Sequence, residues 1–403
     1  MTEYEHEVYW IWLQSVLGCG SHRTNMLLRR YSGAREIYEL DEAERRESRN
    51  FTPDEIEKLR AAPIGKAQAV YERCHALGCR VVTPEDELYP ERLRDIYAMP
   101  IVLYVRGDIA GLSKQFAISM VGTRNCTGYG LSAARMLAGQ LARFGVVVVS
   151  GMALGIDTAC HQSVMDHKGK TVAILGSGID VPYPRDNEKM MARLCREHAV
   201  LTEYPPGTAP VGAHFPVRNR LIAGLSLGTV VVEGDERSGA MITASHALDQ
   251  GKDVFAVPGR IDDRQSAGPL KLIKQGAKPV TCVGDILCEY EHLYPEQLRR
   301  LYQIEMEKYE DKKSKGKVQV EENPEPARPR PEPPGELDET QRMVYERLGS
   351  AAQSVQELSA ATGLSVPKLL PILTEMELMG AIENRSMNRY ALPEGKWPNC
   401  KKT

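Results

Sequence analysis

Arg218, Asn219 and Arg220 stand next to one another in the segment Phe215–Ser226, directly before a short apolar run that begins at Thr229. Guanidinium groups form bidentate hydrogen bonds with phosphate oxygens, which an ammonium group cannot do. Three consecutive side chains with several hydrogen-bonding groups each, just before a buried helix and strand, therefore predict a phosphate-binding arrangement. The structural alternative is that the two arginines cap a helix or pair with nearby carboxylates.

Other glycine-rich turns along the chain also carry polar side chains directly after an apolar run. Arg124 lies in the turn Gly122–Gly130, and Arg185 follows the turn that begins at Gly176. We expect four cations, Arg124, Arg185, Arg218 and Arg220, to converge on one anion. The full set of residues predicted to bind it is Gly122, Thr123, Arg124, Ser150, Gly151, Arg185, Asn187, Phe215, Arg218, Asn219, Arg220, Ser238 and Gly239.

Six short apolar runs must position these turns. They are Phe116–Val121, Val146–Val149, Val172–Leu175, Val200–Thr202, Thr229–Val232 and Val254–Val257. The runs lack the alternation of a half-exposed antiparallel sheet, and a glycine-rich turn and a helical stretch follow each of them. This pattern predicts an α/β fold with a doubly wound parallel sheet. In such a sheet the carboxyl ends of the strands and the N-termini of the following helices meet at one edge, where anions bind.

The remaining chain predicts further domains on either side of this sheet. Residues 1–65 resemble a helical unit of the sterile-alpha-motif or helix-hairpin-helix kind, and residues 66–112 read as a bridging segment that docks on the central domain of residues 113–295. Residues 306–336 are charged and proline-rich, which is typical of a solvated linker. Residues 337–393 have the spacing of three helices and a β wing, which indicates a winged helix.

The two flanking domains each leave alternatives open. The turn Gly18–Gly20 can hold a phosphate through its N–H groups, or it can be a plain helix C-cap. In the winged helix, the third helix offers Lys368 as a cation but also Glu375 and Glu377, so sequence-specific reading of the major groove is disfavoured. A protein–protein role, or a weak contact of the wing residues Arg385 and Arg389 with a nucleic-acid backbone, fits better.

Charge and cysteine content constrain the class of protein. The 403 residues carry a net charge of −3, so a nucleic-acid site must be a local one. The nine cysteines form no Cys-x-x-Cys pair and mostly lie in apolar segments, which is typical of reduced thiols in a cytoplasmic protein. Because no signal-peptide pattern and no apolar stretch of about 20 residues is seen, we expect neither export nor membrane insertion.

The same turns also allow a catalytic interpretation. Asp157, His161, Asp180 and Glu233 each lie near a predicted strand end, where they can form an acid/base set. The alternative is that Asp157 caps a helix or orients an arginine and that His161 is a core residue. Neither a dinucleotide motif, nor a nucleoside-triphosphate motif, nor metal-ligand spacing is present, so no cofactor is expected.

Several motifs in chain order together resemble one known family. They are Gly122–Arg124 with Tyr129-Gly130, Ser150-Gly151 with Gly155–Asp157 and Ala159–His161, Leu175–Asp180 with Tyr183–Asn187, Phe215–Ser226, Ser238–Ala244 and Phe255–Gly259. On these residues the central domain resembles the DNA-processing protein A family (DprA, also called Smf). The N-terminal helices and the winged helix agree with known family architectures more loosely.

The resemblance implies an extended Rossmann-like domain that binds single-stranded DNA. It also implies a homodimer that loads the RecA recombinase onto incoming strands during natural transformation, without enzymatic activity. By the resemblance, strand-binding cations fall on Arg124 and Arg185, and Arg218 and Arg220 fill an Arg-Asn-Arg motif. One departure is Leu270, which stands where the family usually has asparagine, so a polar contact from that position is in doubt.

An enzyme is the rival from another class. Related Rossmann-like domains cleave nucleotide N-glycosidic bonds with a Pro-Gly-Gly-x-Gly-Thr-x-x-Glu loop beside a phosphate pocket. Here the corresponding strand runs into Val232-Glu-Gly-Asp-Glu-Arg-Ser-Gly239, without that loop. The sequence therefore favours a protein that binds single-stranded DNA over a nucleotide-binding protein or a nucleotide N-glycosidase.

Overall fold

The computed structural model describes residues 5–297, 299, 300, 303, 337–348, 353–386 and 389–393. The chain forms two compact units, residues 1–311 and residues 312–403. The predicted boundaries near residues 65 and 112 both fall inside the first unit and stay predictions. The predicted linker, residues 306–336, lies outside the described residues.

Nine strands of the first unit form one sheet. They are β1 Arg80–Val82, β2 Leu103–Gly107, β3 Ala117–Val121, β4 Val147–Ser150, β5 Thr171–Leu175, β6 Ala199–Thr202, β7 Gly228–Val231, β8 Asp253–Ala256 and β9 Lys278–Pro279. Their order across the sheet is β1-β2-β6-β5-β4-β3-β7-β8-β9. From β6 to β9 all neighbours are parallel, so the prediction of a parallel α/β sheet is confirmed.

The bridging segment contributes more than a docked surface. Its strands β1 and β2 pair with each other and β2 pairs with β6, both in antiparallel fashion, so the sheet is mixed at this edge. The strands β3 to β8 are buried along nearly their whole length, as the continuous apolar runs predict.

Helices cover both faces of the parallel part of the sheet. They are α7 Gly128–Arg143, α8 Ile156–Asp166, α9 Glu188–Glu197, α10 His214–Leu225, α11 Gly239–Asp249, α12 Ala267–Lys274 and α13 Gly284–Leu287. Leu270 is half-buried on α12. The segment Arg218–Arg220, which the sequence placed before a helix, lies inside α10. Pro216 is tolerated there because it occupies the first turn, where its missing N–H would have no helical partner.

The N-terminal helices pack on the sheet instead of forming a core of their own. They are α1 His6–Leu17, α2 Arg23–Leu28, α3 Ala34–Glu39, α4 Glu42–Glu47, α5 Pro53–Ala61 and α6 Ile64–Ala76. One buried cluster contains Trp10 and Trp12 of α1 together with Ala173 of β5 and Val200 of β6. Burial of these large aromatic side chains joins the helices to the sheet as one hydrophobic core.

The Gly18–Gly20 turn is a helix C-cap that docks on the sheet. Gly18 has φ of 80° and its N–H donates to Gln14 O at 2.8 Å. The Gly20 N–H donates to Glu203 Oε1 at 3.2 Å. A carboxylate of the protein therefore takes the N–H group of the turn that could otherwise hold a phosphate. The structure therefore matches the C-cap alternative.

The second unit has the elements expected of a winged helix. Its helices are α14 Glu339–Arg347, α15 Val355–Thr362 and α16 Val366–Leu378, and its strands are β10 Gln353–Ser354, β11 Glu383–Ser386 and β12 Arg389–Ala391. The strands form a sheet in the order β10-β12-β11. Lys368, Glu375 and Glu377 are all exposed on α16, and Glu375 accepts a hydrogen bond from Gln341 at 3.1 Å. Among the described residues of both units, no helix combines the length and apolarity that crossing a bilayer requires.

Candidate functional site

A cavity of about 280 Å³ opens at the carboxyl edge of the sheet, between the turns that follow β3, β4 and β7 and the helix α10. Its walls include eight of the thirteen predicted site residues. These are Gly122, Thr123, Arg124, Phe215, Arg218, Asn219, Ser238 and Gly239. Parallel strands bring the turns together because their carboxyl ends share one edge.

Phe215 is the centre of a cation–aromatic group at the mouth of this cavity. The guanidinium carbon of Arg124 lies 5.4 Å from the ring centroid of Phe215, and that of Arg218 lies 5.8 Å from it. Tyr183 adds a second ring, with its centroid 5.3 Å from that of Phe215. Arg124 and Tyr183 are exposed, so both cationic and aromatic surface is offered to a ligand.

Arg218 is held rigidly from below. Its Nη1 donates to Gly151 O at 2.8 Å and also to Ile174 O, and its Nε donates to Asn219 Oδ1 at 3.1 Å. Burial lowers the pKa of Arg218 to about 10; the positive charge of Arg124 lowers it as well, whereas Asp157 opposes the shift. Arg218 therefore remains a cation at neutral pH, fixed in position and only partly neutralised.

Asp157 supports this arginine and the turn beneath it. Its Oδ2 accepts hydrogen bonds from the N–H groups of Gly151 at 3.1 Å and Ala153 at 3.3 Å. Desolvation raises the pKa of Asp157, against the effect of Arg218 and of these hydrogen bonds. A Cβ on Gly151 would lie 2.7 Å from Arg218 Nη2 and 2.8 Å from Asp157 Oδ2, so only glycine allows this close approach.

The N-terminus of α11 supplies donors on the opposite wall. Ser238, Gly239 and Ala240 line the cavity there, and the first N–H groups of a helix have no intrahelical acceptor. Asn219 Nδ2 donates to Gly239 O at 3.2 Å and thereby ties α10 to this helix start. Ser238 Oγ is buried and has no hydrogen-bond partner among the described residues.

Glu233 fixes the turn that carries Arg124. Its carboxylate accepts hydrogen bonds from Thr127 N at 2.9 Å and Thr127 Oγ1 at 2.5 Å, and its main-chain carbonyl accepts one from Thr123 N at 2.8 Å. These bonds hold both ends of the Thr123–Thr127 turn against β7, so Arg124 projects from a supported loop. A Cβ on Gly130 would overlap the carboxylate of Glu233.

Four predicted residues lie beside the cavity. Ser150 is buried and its Oγ donates to Met120 O at 2.7 Å, while Asn187 is buried and its Nδ2 donates to Met152 O and Thr158 Oγ1, both at 2.9 Å. Gly151 lines the adjoining groove with Tyr183, Pro184 and Leu154. Arg185 follows Pro184, is exposed, and makes no ion pair within the described part of the chain.

Arg220 departs from the predicted convergence of four cations. It is buried, with only 4 % of its surface exposed, and its Nη2 donates to Glu203 Oε2 at 2.5 Å. Arg220 does not line the cavity. Because successive residues of a helix are 100° apart, a side chain two positions after Arg218 points to the other side of α10. The alternative of pairing with a nearby carboxylate describes Arg220, whereas the phosphate interpretation suits Arg124 and Arg218.

The proposed acid/base residues are dispersed and engaged. His161 is buried, its Nδ1 lies 2.7 Å from Thr171 Oγ1, and burial lowers its pKa to about 3. Asp180 is paired with Arg73 at 2.5 Å and accepts a hydrogen bond from Gly207 N at 2.6 Å. No group of three or more His, Cys, Asp or Glu residues that could hold a metal ion is found in the described ranges.

Some cavity residues were missed by sequence reasoning. Asn125, Ala153, Ile222, Ala240 and Thr243 also line the cavity. Ala240 and Thr243 are three residues apart and share one face of α11. The helical spacing from Gly239 is the signal that could have placed them there.

Comparison with known proteins is consistent with this architecture. The family described as DNA recombination-mediator protein A matches residues 80–291, and the family described as DprA winged helix domain matches residues 328–386. The first match contains every residue of the cavity.

Individual relatives agree with the family match. The chain is 44% identical over 212 residues to the DNA processing protein DprA of Bacillus subtilis, covering 53% of this chain and 71% of that protein. It is 30% identical over 325 residues to Protein Smf of Synechocystis, covering 77% of this chain and 79% of that protein. The X-ray structure of DprA from Streptococcus pneumoniae matches with a TM-score of 0.63 and 32% identity, covering 72% of this chain and 99% of that chain.

Proposed function

Since the chain belongs to the DNA recombination-mediator protein A family, we propose that it binds single-stranded DNA at the cavity edge around Phe215. The proposal extends to a cytoplasmic homodimer that protects incoming strands and loads RecA during natural transformation. One observation carries the site: Arg124 and Arg218 flank the ring of Phe215 within 6 Å at the mouth of a cavity that also contains a helix N-terminus.

The chemistry of this group suits an unpaired strand. Cations and free N–H groups attract phosphates irrespective of sequence, and aromatic faces stack on bases that are not already paired. Arg124 and Tyr183 are accessible, and Arg185 adds an exposed charge on the loop after Tyr183. A duplex offers phosphates but no free base faces, so we expect a preference for the single strand.

A binding role is also favoured over the glycosidase alternative. Asp157 accepts hydrogen bonds from main-chain N–H groups beside Arg218, Glu233 holds the Thr127 turn, and His161 bonds Thr171 in the interior. Each candidate acid or base has a structural task. Hydrolysis of nucleoside monophosphates to free base by the purified chain would overturn this part of the proposal.

The test is fluorescence anisotropy with a labelled oligothymidine, single-stranded against duplex, across a salt series. We expect tighter binding of the single strand, weakening as salt rises, and loss of binding in the variant Arg124→Ala/Arg185→Ala. Arg143→Ala is a matched control, because Arg143 is an exposed arginine at the other end of α7 from the cavity. Retained affinity in the double variant would contradict the site.

RecA loading needs its own experiment. At limiting concentrations of RecA and of single-stranded DNA, addition of the chain should speed the assembly of RecA filaments. Assembly is measured by the ATP hydrolysis that the filaments perform. The Arg124→Ala/Arg185→Ala variant should not. Equal rates with and without the wild-type chain would contradict a mediator role while leaving strand binding intact.

A further inference from the structure

We propose that His22 and Tyr97 form a second base-stacking surface, which continues the path of a single strand from the cavity across the N-terminal helices. This inference rests on the proposed function. It concerns residues outside the cavity, at the N-cap of α2 and on the loop before β2, and the ligand class is the unpaired bases of the same strand.

The two rings are arranged as a stacking platform on the protein surface. Their planes are within 7° of parallel and their centroids are 6.4 Å apart. Both side chains are exposed, and Tyr97 has 74% of its surface accessible, which is unusual for an aromatic side chain of a folded domain. Exposed aromatic faces are the surfaces on which unpaired bases stack.

The loop that carries Tyr97 is rigidly built. Ile96 and Ala98 on either side of it are buried, and Ala98 has φ of 55°, a left-handed conformation that is rare for alanine. The backbone thus turns Tyr97 outward between two anchored neighbours. Strained conformations persist where the surrounding structure holds them in place.

Helix α2 supplies the hydrogen bonds that hold this loop opposite His22. Thr24 Oγ1 donates to Met99 O at 3.0 Å, and Asn25 Nδ2 donates to Ile96 O at 3.3 Å. Asn25 Oδ1 in turn accepts from Met99 N at 3.0 Å. His22 and Tyr97 are therefore preorganised relative to each other, which lowers the entropy cost of binding.

The platform is continuous with the cavity through α10. A Cβ on Gly20 would lie 2.5 Å from Val217 Cγ1, so the turn before His22 touches α10 two residues beyond Phe215. With about 3.8 Å per residue step, the distance from Phe215 to His22 is at most on the order of 20 Å. Pro216, Val217, Gly20 and Ser21 are all exposed or half-buried, so a strand can follow this path over the surface.

Charge beside the platform favours a strand over other ligands. Met26 on α2 and the two residues that flank the helix, His22 and Arg29, follow the spacing of one helix face. Arg29 and Arg30 are exposed and make no ion pair among the described residues. Asp95, two residues before Tyr97, is an exposed carboxylate on the same loop. Tyrosine, methionine and arginine are also enriched at protein interfaces, but the continuity with the arginine-lined cavity favours nucleic acid.

The experiment compares long and short oligothymidines on the full chain. The variant His22→Ala/Tyr97→Ala should bind an oligomer of about 20 nucleotides roughly tenfold more weakly, the effect of losing about one stacked base. It should bind an oligomer of about three nucleotides as the wild type does, because such an oligomer occupies only the cavity. The variant His22→Phe/Tyr97→Phe should recover the long-oligomer affinity, since both rings are kept.

Met136→Ala, at an exposed methionine on α7, is the control for loss of exposed apolar surface. Equal affinity of the alanine variant and the wild type for the long oligomer would overturn the proposal. This holds also if the variant loses binding to another protein, because the rings would then form a protein interface. A wild type that binds neither oligomer would instead overturn the proposed function. Failure of the phenylalanine variant to recover affinity, with its fold intact by circular dichroism, would also count against stacking.

Discussion

Arg218 and Arg220 lie two residues apart on α10 and serve different parts of the molecule. Arg218 reaches Gly151 O and lines the cavity, whereas Arg220 pairs with Glu203, which also accepts a hydrogen bond from Gly20 N. One face of α10 therefore presents Arg218, the residue proposed to bind phosphate. The other face presents Arg220, which holds the N-terminal helices on the sheet through Glu203. Docking of those helices and the position of Arg218 are set by the same element.

The pair Arg220–Glu203 predicts a stability effect without a direct binding effect. In Arg220→Met the Glu203 side chain, which is 4 % exposed, would keep a buried charge without its cation. The free energy of unfolding should fall by about 3–5 kcal/mol, measured by urea denaturation. The variant Arg220→Met/Glu203→Leu should regain much of this loss, because the unpaired carboxylate is gone.

Single-strand affinity provides the complementary measurement. At a temperature where Arg220→Met is folded, its affinity for an oligothymidine should match that of the wild type within a factor of about two. Loss of affinity as large as that of Arg124→Ala, with the fold intact, would contradict the placement of Arg220 outside the site.

Gly130 and Gly128 predict opposite outcomes for the same substitution. Gly130→Ala would drive a methyl group into the carboxylate of Glu233 and displace the turn that carries Arg124, whereas a Cβ on Gly128 meets no atom within 4 Å. We expect Gly130→Ala to lose about 1–3 kcal/mol of stability and to weaken strand binding. Gly128→Ala should be neutral or slightly stabilising, since neither glycine has a positive φ.

Thermal unfolding and anisotropy of the two variants, measured together, check this prediction. A Gly130→Ala variant as stable as Gly128→Ala would show that the contact of Glu233 with the first turn of α7 is not tight.

His161 predicts a loss of stability in acid. Burial lowers its pKa from 6.5 to about 3, with His198 and Arg218 contributing in the same direction, so the unfolded chain binds a proton that the folded chain refuses. The stability that neutral His161 gives the folded chain is therefore fully present above pH 6.5. The free energy of unfolding then decreases as the pH falls from about 6.5 toward 3, by up to about 1.4 kcal/mol per pH unit.

The variant His161→Gln isolates this effect, because glutamine can bond Thr171 but does not titrate in this range. Urea denaturation at pH 7 and pH 5 should show a smaller stability difference in the variant than in the wild type. Equal stability differences between pH 7 and pH 5 in the two proteins would mean that the folded chain protonates His161 as readily as the unfolded chain does.

The sheet and most of the cavity could be predicted because continuous apolar runs identify buried parallel strands, and parallel strands place their following turns at one edge. Arg124, Ser238 and Gly239 follow from that rule alone. The rule gives which turns meet but not where each side chain points. Asn187 and Ser150 lie on the expected turns, yet their side chains bond main-chain carbonyls in the interior.

The direction of Arg220 was predictable in principle, and the error has a simple cause. Once Phe215–Leu225 is taken as a helix, residues 218 and 220 cannot face the same ligand. The sequence pattern instead placed the Arg-Asn-Arg segment before a helix, whereas the helix begins at His214. The role of the Gly18–Gly20 turn depends on Glu203, more than 180 residues away, and no local pattern carries such a contact.

Phe215 and Arg124 should differ in how their loss responds to salt. Arg124→Ala removes a charge that meets phosphate, so affinity should fall and the slope of log K against log salt should decrease by about 0.7, one phosphate contact on a single strand. Phe215→Leu removes the ring between Arg124 and Arg218 but no charge, so affinity should fall by roughly tenfold with the slope unchanged. Anisotropy at four salt concentrations separates the two. If both variants lowered the slope equally, Phe215 would act by positioning the arginines, and the single strand would be held by its phosphates alone.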